Sequence, residues 1–164
     1  MITDIRIATT RDINDIQNIA YITWPITYKK IISTEQIEFM LEMMYSQEAL
    51  ENQFYEGSQF LIAEVDDEVV GFASFGFLKD NIYKLHKLYV SPNVQRTGAG
   101  KALLKESILK IIKLGGKKLE LQVNRKNKAV GFYQKMGFEI VKEQNINIGD
   151  GFYMNDYVME LNLS

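Results

Sequence analysis

The sequence contains no cysteine and a single histidine, His86. The lack of cysteine excludes structural disulfides, thiolate metal sites and a cysteine acyl-enzyme, and one histidine excludes a metal centre built from several imidazoles. No apolar run approaches the ~18 residues that a membrane-spanning helix needs. The start of the chain carries Asp4 and Arg6 where a signal peptide would be apolar. We therefore expect a cytoplasmic protein that uses no metal and engages no membrane.

Charge is balanced in total but not along the chain. The 19 lysines and arginines and the 21 aspartates and glutamates give a net charge of −2, which does not suggest a nucleic-acid partner. Ten of the 19 basic residues fall between positions 96 and 128, whereas positions 31–78 hold ten acidic residues and no basic one. The basic part suits an anionic ligand. The acidic part suits either the steering of a cationic ligand or, more commonly, the solvated outer faces of amphipathic helices.

Hydrophobic periodicity predicts one domain of the α/β class, with a mixed (α+β) sheet, over residues 1–164. A chain of 164 residues buries about two thirds of its unfolded surface in a single core. Apolar and alternating stretches predict strands at 5–8, 60–65, 69–78, 82–90, 119–123, 138–141 and 152–161. Helical spacing, with N-caps at Thr10, Ser33 and Ser46 and stops at glycine, predicts five helices. We expect Trp24 and Pro25 to interrupt the first helix.

A glycine-containing turn lies between the predicted strand at 82–90 and the helix that follows it. The turn contains Gln95, Arg96, Gly98 and Gly100. At a helix start, free main-chain N–H groups and the positive end of the helix dipole face outward, and glycine lets a phosphate approach the backbone. The turn therefore suits a pyrophosphate.

Two known phosphate-binding motifs do not fit this turn. An ATP-type P-loop needs a glycine ahead of its Gly-Lys pair and a Ser or Thr after it, but Gln95 and Ala102 occupy those positions. The dinucleotide fingerprint needs a third glycine where Leu103 stands. What remains is the pattern Gln/Arg-x-x-Gly-x-Gly/Ala after a strand, which residues 95–100 match without gaps.

Residues 95–100, together with a second segment at 123–138, resemble the GNAT superfamily of acyl-CoA N-acyltransferases. The second segment has an asparagine at a strand end, an alanine, a tyrosine four residues later and a closing Gly-Phe, here Asn124, Ala129, Tyr133, Gly137 and Phe138. The resemblance covers residues from about 59 to 162. It implies the GNAT fold, a predominantly antiparallel sheet flanked by helices, and direct transfer of acetyl from acetyl-CoA to a primary amine without a covalent intermediate.

The resemblance also implies where coenzyme A binds. Main-chain groups at the strand end bind the pantetheine arm, and a main-chain N–H near Val90 polarises the thioester carbonyl. The implied cofactor residues are Leu88, Tyr89 and Val90 at the strand end and Gln95, Arg96, Thr97, Gly98, Ala99, Gly100 and Lys101 in the turn. Arg96 stands where the family usually has glycine, and Asn127 precedes Ala129 by two residues where three is commoner. This spacing leaves open whether Asn124 or Asn127 contacts pantetheine.

Two side chains are candidates for proton transfer. Tyr133 occupies the position of the family's general acid, and a phenol with a pKa of ~10 stays protonated at neutral pH and can protonate a leaving thiolate. The alternative is a tyrosine that only packs in the core.

The candidate base lies on the preceding strand. Many relatives use a glutamate as base near the position of Lys84. Strand alternation predicts one face shared by Lys84, His86, Leu88 and Val90. His86 is then the best available base, or else a histidine on the sheet surface without a role in proton transfer.

The acceptor is suggested by the first helices, which loosely resemble those of bacterial polyamine acetyltransferases. A polyamine or another small amine is the favoured acceptor, and a peptide or protein amine is the next. Trp24, Tyr28 and Tyr45 are candidates for the lining of an acceptor pocket. Because Lys84 replaces the usual glutamate, the alternative function is an acyl-CoA-binding sensor without turnover. The sequence leaves a homodimer open.

Overall fold

The fold is a seven-stranded sheet with helices packed on both faces. The computed structural model describes residues 3–94 and 97–164. In these residues the strands are β1 (Thr3–Ile7), β2 (Gln59–Val65), β3 (Glu68–Lys79), β4 (Ile82–Val90), β5 (Lys118–Asn124), β6 (Glu139–Gly149) and β7 (Phe152–Asn162). The helices are α1 (Ile13–Tyr28), α2 (Thr34–Tyr45), α3 (Gln47–Tyr55), α4 (Ala99–Lys113) and α5 (Ala129–Lys135).

The strands are arranged in the order β1-β2-β3-β4-β5-β7-β6. Neighbouring strands run antiparallel except for β4 and β5, which are parallel and are joined through α4. This arrangement confirms the mixed, predominantly antiparallel sheet. The parallel pair lies in the interior of the sheet, and the end of β4 leads directly toward the start of α4.

Strand alternation divides the core between the two faces of the sheet. On one face, α4 packs against side chains that include Leu61 and Ala63 of β2. On the other face, α1, α2 and α3 cover Phe60 and Ile62 of the same strand. Adjacent residues of β2 thus enter opposite cores, because side chains along a strand alternate in direction. The β2–β3 hairpin turns at Asp66 and Asp67, as predicted.

Helix α1 continues through Pro25, so the predicted interruption is wrong. A proline inside a helix removes one hydrogen bond, in this case the bond to the carbonyl of Tyr21. Tyr21 lies on the outer side of α1, with 43% of its surface exposed. Trp24 and Tyr28, on the inner side, are buried in the core beneath the helix. The buried aromatic face stabilises the helix across the proline.

Helix capping agrees with the sequence at two positions and differs at one. Ser33 and Ser46 accept hydrogen bonds from main-chain N–H groups at the starts of α2 and α3, as predicted. The predicted cap at Thr10 is wrong, because a 3-10 turn at Thr10–Asp12 precedes α1 and Thr9 caps that turn: Thr9 Oγ1 accepts from the Arg11 N–H, and the Asp12 carboxylate accepts from the Thr9 N–H. Strand β6 is also longer than predicted, because its pairing with β7 extends to Gly149. The added segment is mostly polar, and its alternation of Asn145, Ile146, Asn147 and Ile148 is the signal that the sequence analysis did not use.

The corner between α4 and β5 has room only for glycine. A Cβ atom added at Gly116 would overlap Ile111 Cγ2 and would lie 2.9 Å from Tyr83 Cδ1. We expect Gly116→Ala to lower the free energy of unfolding by about 1–3 kcal/mol, the usual range for overpacking. Urea unfolding measures the change. Gly131→Ala is the matched control, since a Cβ there meets nothing within 4 Å, and an equal stability of the two variants would contradict the prediction.

Candidate active site

Strands β4 and β5 separate part of the way along their length. Their pairing runs from Ile82 opposite Lys118 to Leu85 opposite Leu121, where it ends among the described residues. Beyond this point β4 continues to Val90 against β3, and β5 continues to Asn124 against β7. A cleft therefore opens in the middle of the sheet, bordered by main chain on both sides.

A β-bulge interrupts β4 where the cleft begins. Lys87 lies opposite Ser74, but Leu85 lies opposite Phe75, so two positions on β3 face three positions on β4. His86 is the extra residue. A bulge of this kind shifts the alternation of the strand by one residue.

The bulge makes the predicted common face of β4 wrong. Leu88 and Val90 pack in the core beneath α4. Lys84 lies opposite Gly76, and His86 Nε2 lies 3.1 Å from where a Cβ of Gly76 would be, on the other face. The side chains of Leu88 and Val90 thus lie on the opposite face of the sheet from His86, the histidine predicted to act as base. Simple period-two counting across residues 84–90 did not allow for the inserted residue.

The N-terminus of α4 lies beyond the end of β4. Gly98 has φ = 83°, a left-handed conformation that favours glycine, and it precedes the first helical residue, Ala99. A Cβ at Gly98 would meet nothing within 4 Å, and the nearest atom to a Cβ at Gly100 would be Val90 Cγ2, at 3.6 Å. The first turn holds no acidic residue. The first turn of α4 is thus accessible and carries the positive end of the helix dipole, as binding of an anion requires.

The other predicted turn residues border this helix start. Thr97 Oγ1 donates to the carbonyl of Val94 at 2.8 Å, which ties the turn to the segment after β4. Lys101 lies in the first turn of α4 with an exposed side chain. Gln95 and Arg96, also predicted to contact the cofactor, lie outside the described residues.

A cluster of aromatic side chains lies on the α1–α2 face beside the cleft. The hydroxyls of Tyr28 and Tyr89 are 3.3 Å apart, and Asn127 Nδ2 donates to Tyr28 Oη at 3.3 Å. The Trp24 ring lies 4.4 Å from Tyr28 and 6.1 Å from Tyr45, measured between ring centroids. The structure thus brings together the three aromatic residues predicted from the sequence as pocket candidates.

Tyr133 is buried on α5, with its ring in edge contact with Phe132 and Phe138. Burial raises the pKa of Tyr133 above its ordinary value, and interaction with Tyr28 raises it further. Burial likewise raises the pKa of Tyr28. Both hydroxyls therefore keep their protons at neutral pH, which a general acid requires.

Asn124 and Asn127 both use their side-chain amides within the protein. Asn124 Oδ1 accepts from the main-chain N–H of Lys126, and its Nδ2 lies 3.7 Å from Met154 Sδ. Asn127 Oδ1 accepts from the N–H of Ala129 at the start of α5. The two asparagines shape the loop that positions α5, and the choice of pantetheine partner stays a prediction.

Comparison with known proteins decides the family. A model of the acetyltransferase (GNAT) domain matches residues 28–161. The chain belongs to the GNAT family. The predicted family and fold are thereby confirmed, and the protein is an acetyl-CoA-dependent acetyltransferase.

Individual GNAT relatives cover most of the chain. The chain is 32% identical over 144 residues to a spermidine N(1)-acetyltransferase of Thermoplasma acidophilum, covering 84% of this chain and 88% of the relative. An uncharacterized N-acetyltransferase of Bacillus subtilis is 30% identical over 151 residues, covering 88% and 84%. The crystal structure of a PaiA N-acetyltransferase from Thermoplasma acidophilum in complex with coenzyme A superposes with a TM-score of 0.85 at 30% identity, covering 99% of both chains.

The GNAT assignment does not identify the base, and the surroundings of His86 disfavour it. Partial burial, together with the charges of Lys84 and Lys87, lowers the pKa of His86 to about 4. An imidazole with this pKa accepts a proton from an ammonium group poorly. The role of His86 as base stays a prediction that the electrostatics of the site weaken.

Two ionisable residues of this GNAT site escaped the sequence analysis. Lys87 is buried with its Nζ 4.7 Å from the centroid of the Tyr45 ring, and burial and Lys84 lower its pKa to about 8. Asp156 is buried on β7, and burial raises its pKa to about 6. Each is a charged residue inside a strand with apolar or aromatic residues two positions away on either side, and this local pattern was the available signal.

Two further features of the described residues concern metals and membranes. They contain no group of three or more His, Cys, Asp or Glu side chains arranged to hold a metal ion. None of the helices in residues 3–94 and 97–164 combines the length and the apolar character needed to cross a membrane.

Proposed function

We propose that this GNAT enzyme transfers acetyl directly from acetyl-CoA to the primary amine of a small acceptor, with a polyamine as the favoured acceptor and a peptide or protein amine as the next. The observation that carries the proposal is the cleft between β4 and β5, which links the open N-terminus of α4 to the tyrosine cluster. Residues 1–164 act in this proposal as one catalytic domain in the cytoplasm.

The donor is held mainly by main-chain groups. The diphosphate binds at the first turn of α4, where Gly98, Ala99 and Gly100 allow close approach and the helix dipole favours an anion. The pantetheine arm follows the backbone of 88–90 along the cleft. The thioester then lies near the end of β4, where a main-chain N–H polarises its carbonyl.

The chemistry needs a neutral amine and a proton for the departing sulfur. The amine nitrogen attacks the thioester carbon, the C–N bond forms and the C–S bond breaks. Tyr133 gives its proton to the thiolate, and its raised pKa keeps the phenol protonated throughout the neutral range before that step. No residue is acylated, in agreement with the lack of cysteine.

The preference for a polyamine has support outside the site. The relative that is 32% identical is named a spermidine N(1)-acetyltransferase. The likeness extends over 84% of this chain and 88% of the relative. The cluster of Trp24, Tyr28 and Tyr45 is buried on this side of the sheet, and Lys87 Nζ lies over the Tyr45 ring, so the three rings support the acceptor side from within the core.

A thiol-release assay tests the proposed function. Purified protein is mixed with acetyl-CoA and, separately, with spermidine, a short diamine, single amino acids and short peptides, and free coenzyme A is followed. We expect the fastest release with spermidine or the diamine, and mass spectrometry should show one added acetyl group on the acceptor. Binding of acetyl-CoA without release of thiol for every amine would contradict the proposal and favour a sensor, a role that Lys84 in place of the usual glutamate would fit.

A further inference from the structure

Asp156 lies in the middle of β7, on the acceptor face of the sheet. It is paired with Asn124 of β5 and Gln144 of β6. Neighbouring residues Val123 and Tyr157 point into the core beneath α4, so Asn124 and Asp156 face the opposite side. Only 7% of the surface of Asp156 is exposed. Its carboxylate is therefore placed inside the site rather than in solvent.

The carboxylate of Asp156 lacks the partners that a structural aspartate would have. Its Oδ1 is enclosed and has no hydrogen-bond partner among the described residues. The nearby Arg125 uses its Nε for the main-chain oxygen of Asp156 and its NH2 group for Gln144 and Asn145. A buried carboxylate without a close cation or donor destabilises a fold. Its presence is better explained by function than by stability.

The surroundings of Asp156 connect it to the proposed acid. Three charged or titratable groups interact with its carboxyl group: Tyr28 on α1, Lys84 on β4 and Arg125 after β5. Tyr28 is hydrogen-bonded to Tyr89. Tyr28 also raises the pKa of Tyr133. Tyr28, beside the cleft, therefore interacts electrostatically with both Asp156 and Tyr133.

We propose that Asp156 binds the ammonium group of the acceptor and takes its proton, a role that rests on the proposed acetyl transfer. An acceptor R–NH3⁺ gives one proton to the carboxylate, and the nitrogen lone pair then attacks the thioester carbon. Tyr133 protonates the departing thiolate, the second excess proton on nitrogen restores Tyr133, and Asp156 releases its proton to water. Protons and bonds balance to R–NH–acetyl, free coenzyme A and one proton.

The ionisation of Asp156 suits this role better than that of His86. Burial raises the pKa of Asp156 to about 6, so the carboxylate is charged at neutral pH yet accepts a proton more readily than an exposed aspartate. His86 is the weaker acceptor because its pKa is about 4. A negative charge also attracts an ammonium group, which a neutral imidazole does not do as strongly.

The test compares Asp156→Asn with Asp150→Asn, which removes a carboxylate from the exposed β6–β7 turn. With spermidine as acceptor, kcat/KM of Asp156→Asn should fall at least ~100-fold, while its affinity for coenzyme A stays normal by calorimetry. Asp150→Asn should keep wild-type kinetics, and Asp156→Glu should restore part of the rate.

A pH profile and a melting temperature separate this role from a structural one. In the wild type, kcat/KM should decline as the pH falls through about 6, and His86→Gln should keep that decline while Asp156→Asn loses it. Asp156→Asn should not melt below the wild type at pH 7.5, because the raised pKa makes the ionised group destabilising above pH 6.

The outcomes distinguish this inference from the proposed function. An active wild type with an equally active Asp156→Asn variant would overturn the role of Asp156 alone. A loss of activity accompanied by lost coenzyme A binding or a lower melting temperature would also overturn it, in favour of a structural role. A wild type inactive toward every amine would remove the proposed function, and the role of Asp156 with it.

Discussion

Replacing Gly98 with glutamate should abolish coenzyme A binding and leave the fold intact. The Cβ of the new side chain would enter the open space in front of the first turn of α4, where nothing lies within 4 Å. Its carboxylate would compete with the diphosphate for the same N–H groups and repel it. We expect the dissociation constant for coenzyme A to rise more than ~100-fold, or about 2.7 kcal/mol, in a calorimetric titration.

Backbone strain is the main competing explanation for such a loss, and two variants control for it. Gly98 has a left-handed φ, which costs a residue with a side chain about 1–2 kcal/mol. Gly115, at the other end of the same helix, has φ = 93° and equally open surroundings. Gly115→Glu should therefore lose similar stability but bind coenzyme A normally, and Gly98→Ala should bind better than Gly98→Glu. Normal affinity in Gly98→Glu would mean that the diphosphate binds elsewhere.

Replacing Tyr133 with phenylalanine should slow turnover by a factor of ~100–1000 while preserving the affinity for coenzyme A. The substitution removes only the hydroxyl, and general acids contribute factors of about 100 to 10,000. Because burial raises the pKa of Tyr133, loss of its proton should not reduce the wild-type rate below about pH 10. Steady-state kinetics with saturating acetyl-CoA measure the change in kcat.

A matched control for this variant is Tyr21→Phe, which removes a hydroxyl from the exposed side of α1. It should leave kcat unchanged. A reduced affinity for acetyl-CoA with an unchanged kcat in Tyr133→Phe would assign the tyrosine to binding, and unchanged values of both would remove it from the mechanism.

Local signals in the sequence predicted the family and the local structure at the start of α4. Gly98 and Gly100 mark a helix start that a phosphate can approach, and this property depends on backbone conformation over a few residues. The segment from Asn124 to Tyr133 likewise marks a strand end, a loop and a short helix in direct succession. Both segments fold as their own residues indicate, so short motifs were sufficient to predict the family.

The acceptor side depended on contacts between distant segments. The bulge at His86 arises from the pairing of β4 with β3, and it moved Leu88 and Val90 to the opposite face from the one expected. Pro25 was accommodated because the buried aromatic residues of α1 outweigh one lost hydrogen bond. In both cases the structure was decided by residues distant in the sequence: β3 for the bulge, and the core beneath α1 for the proline.

The sequence by itself determined the family, the element order and the glycine turn at the start of α4, because these depend on residue types close together in the chain. Only the tertiary structure decided the face on which each residue of β4 lies and which ionisable groups are buried. Burial raises the pKa of Asp156, and the residues paired beside it, Asn124 of β5 and Gln144 of β6, are 32 and 12 positions away in the chain. Strand register and desolvation are properties of the assembled sheet, and they place the buried charges of the proposed acceptor site.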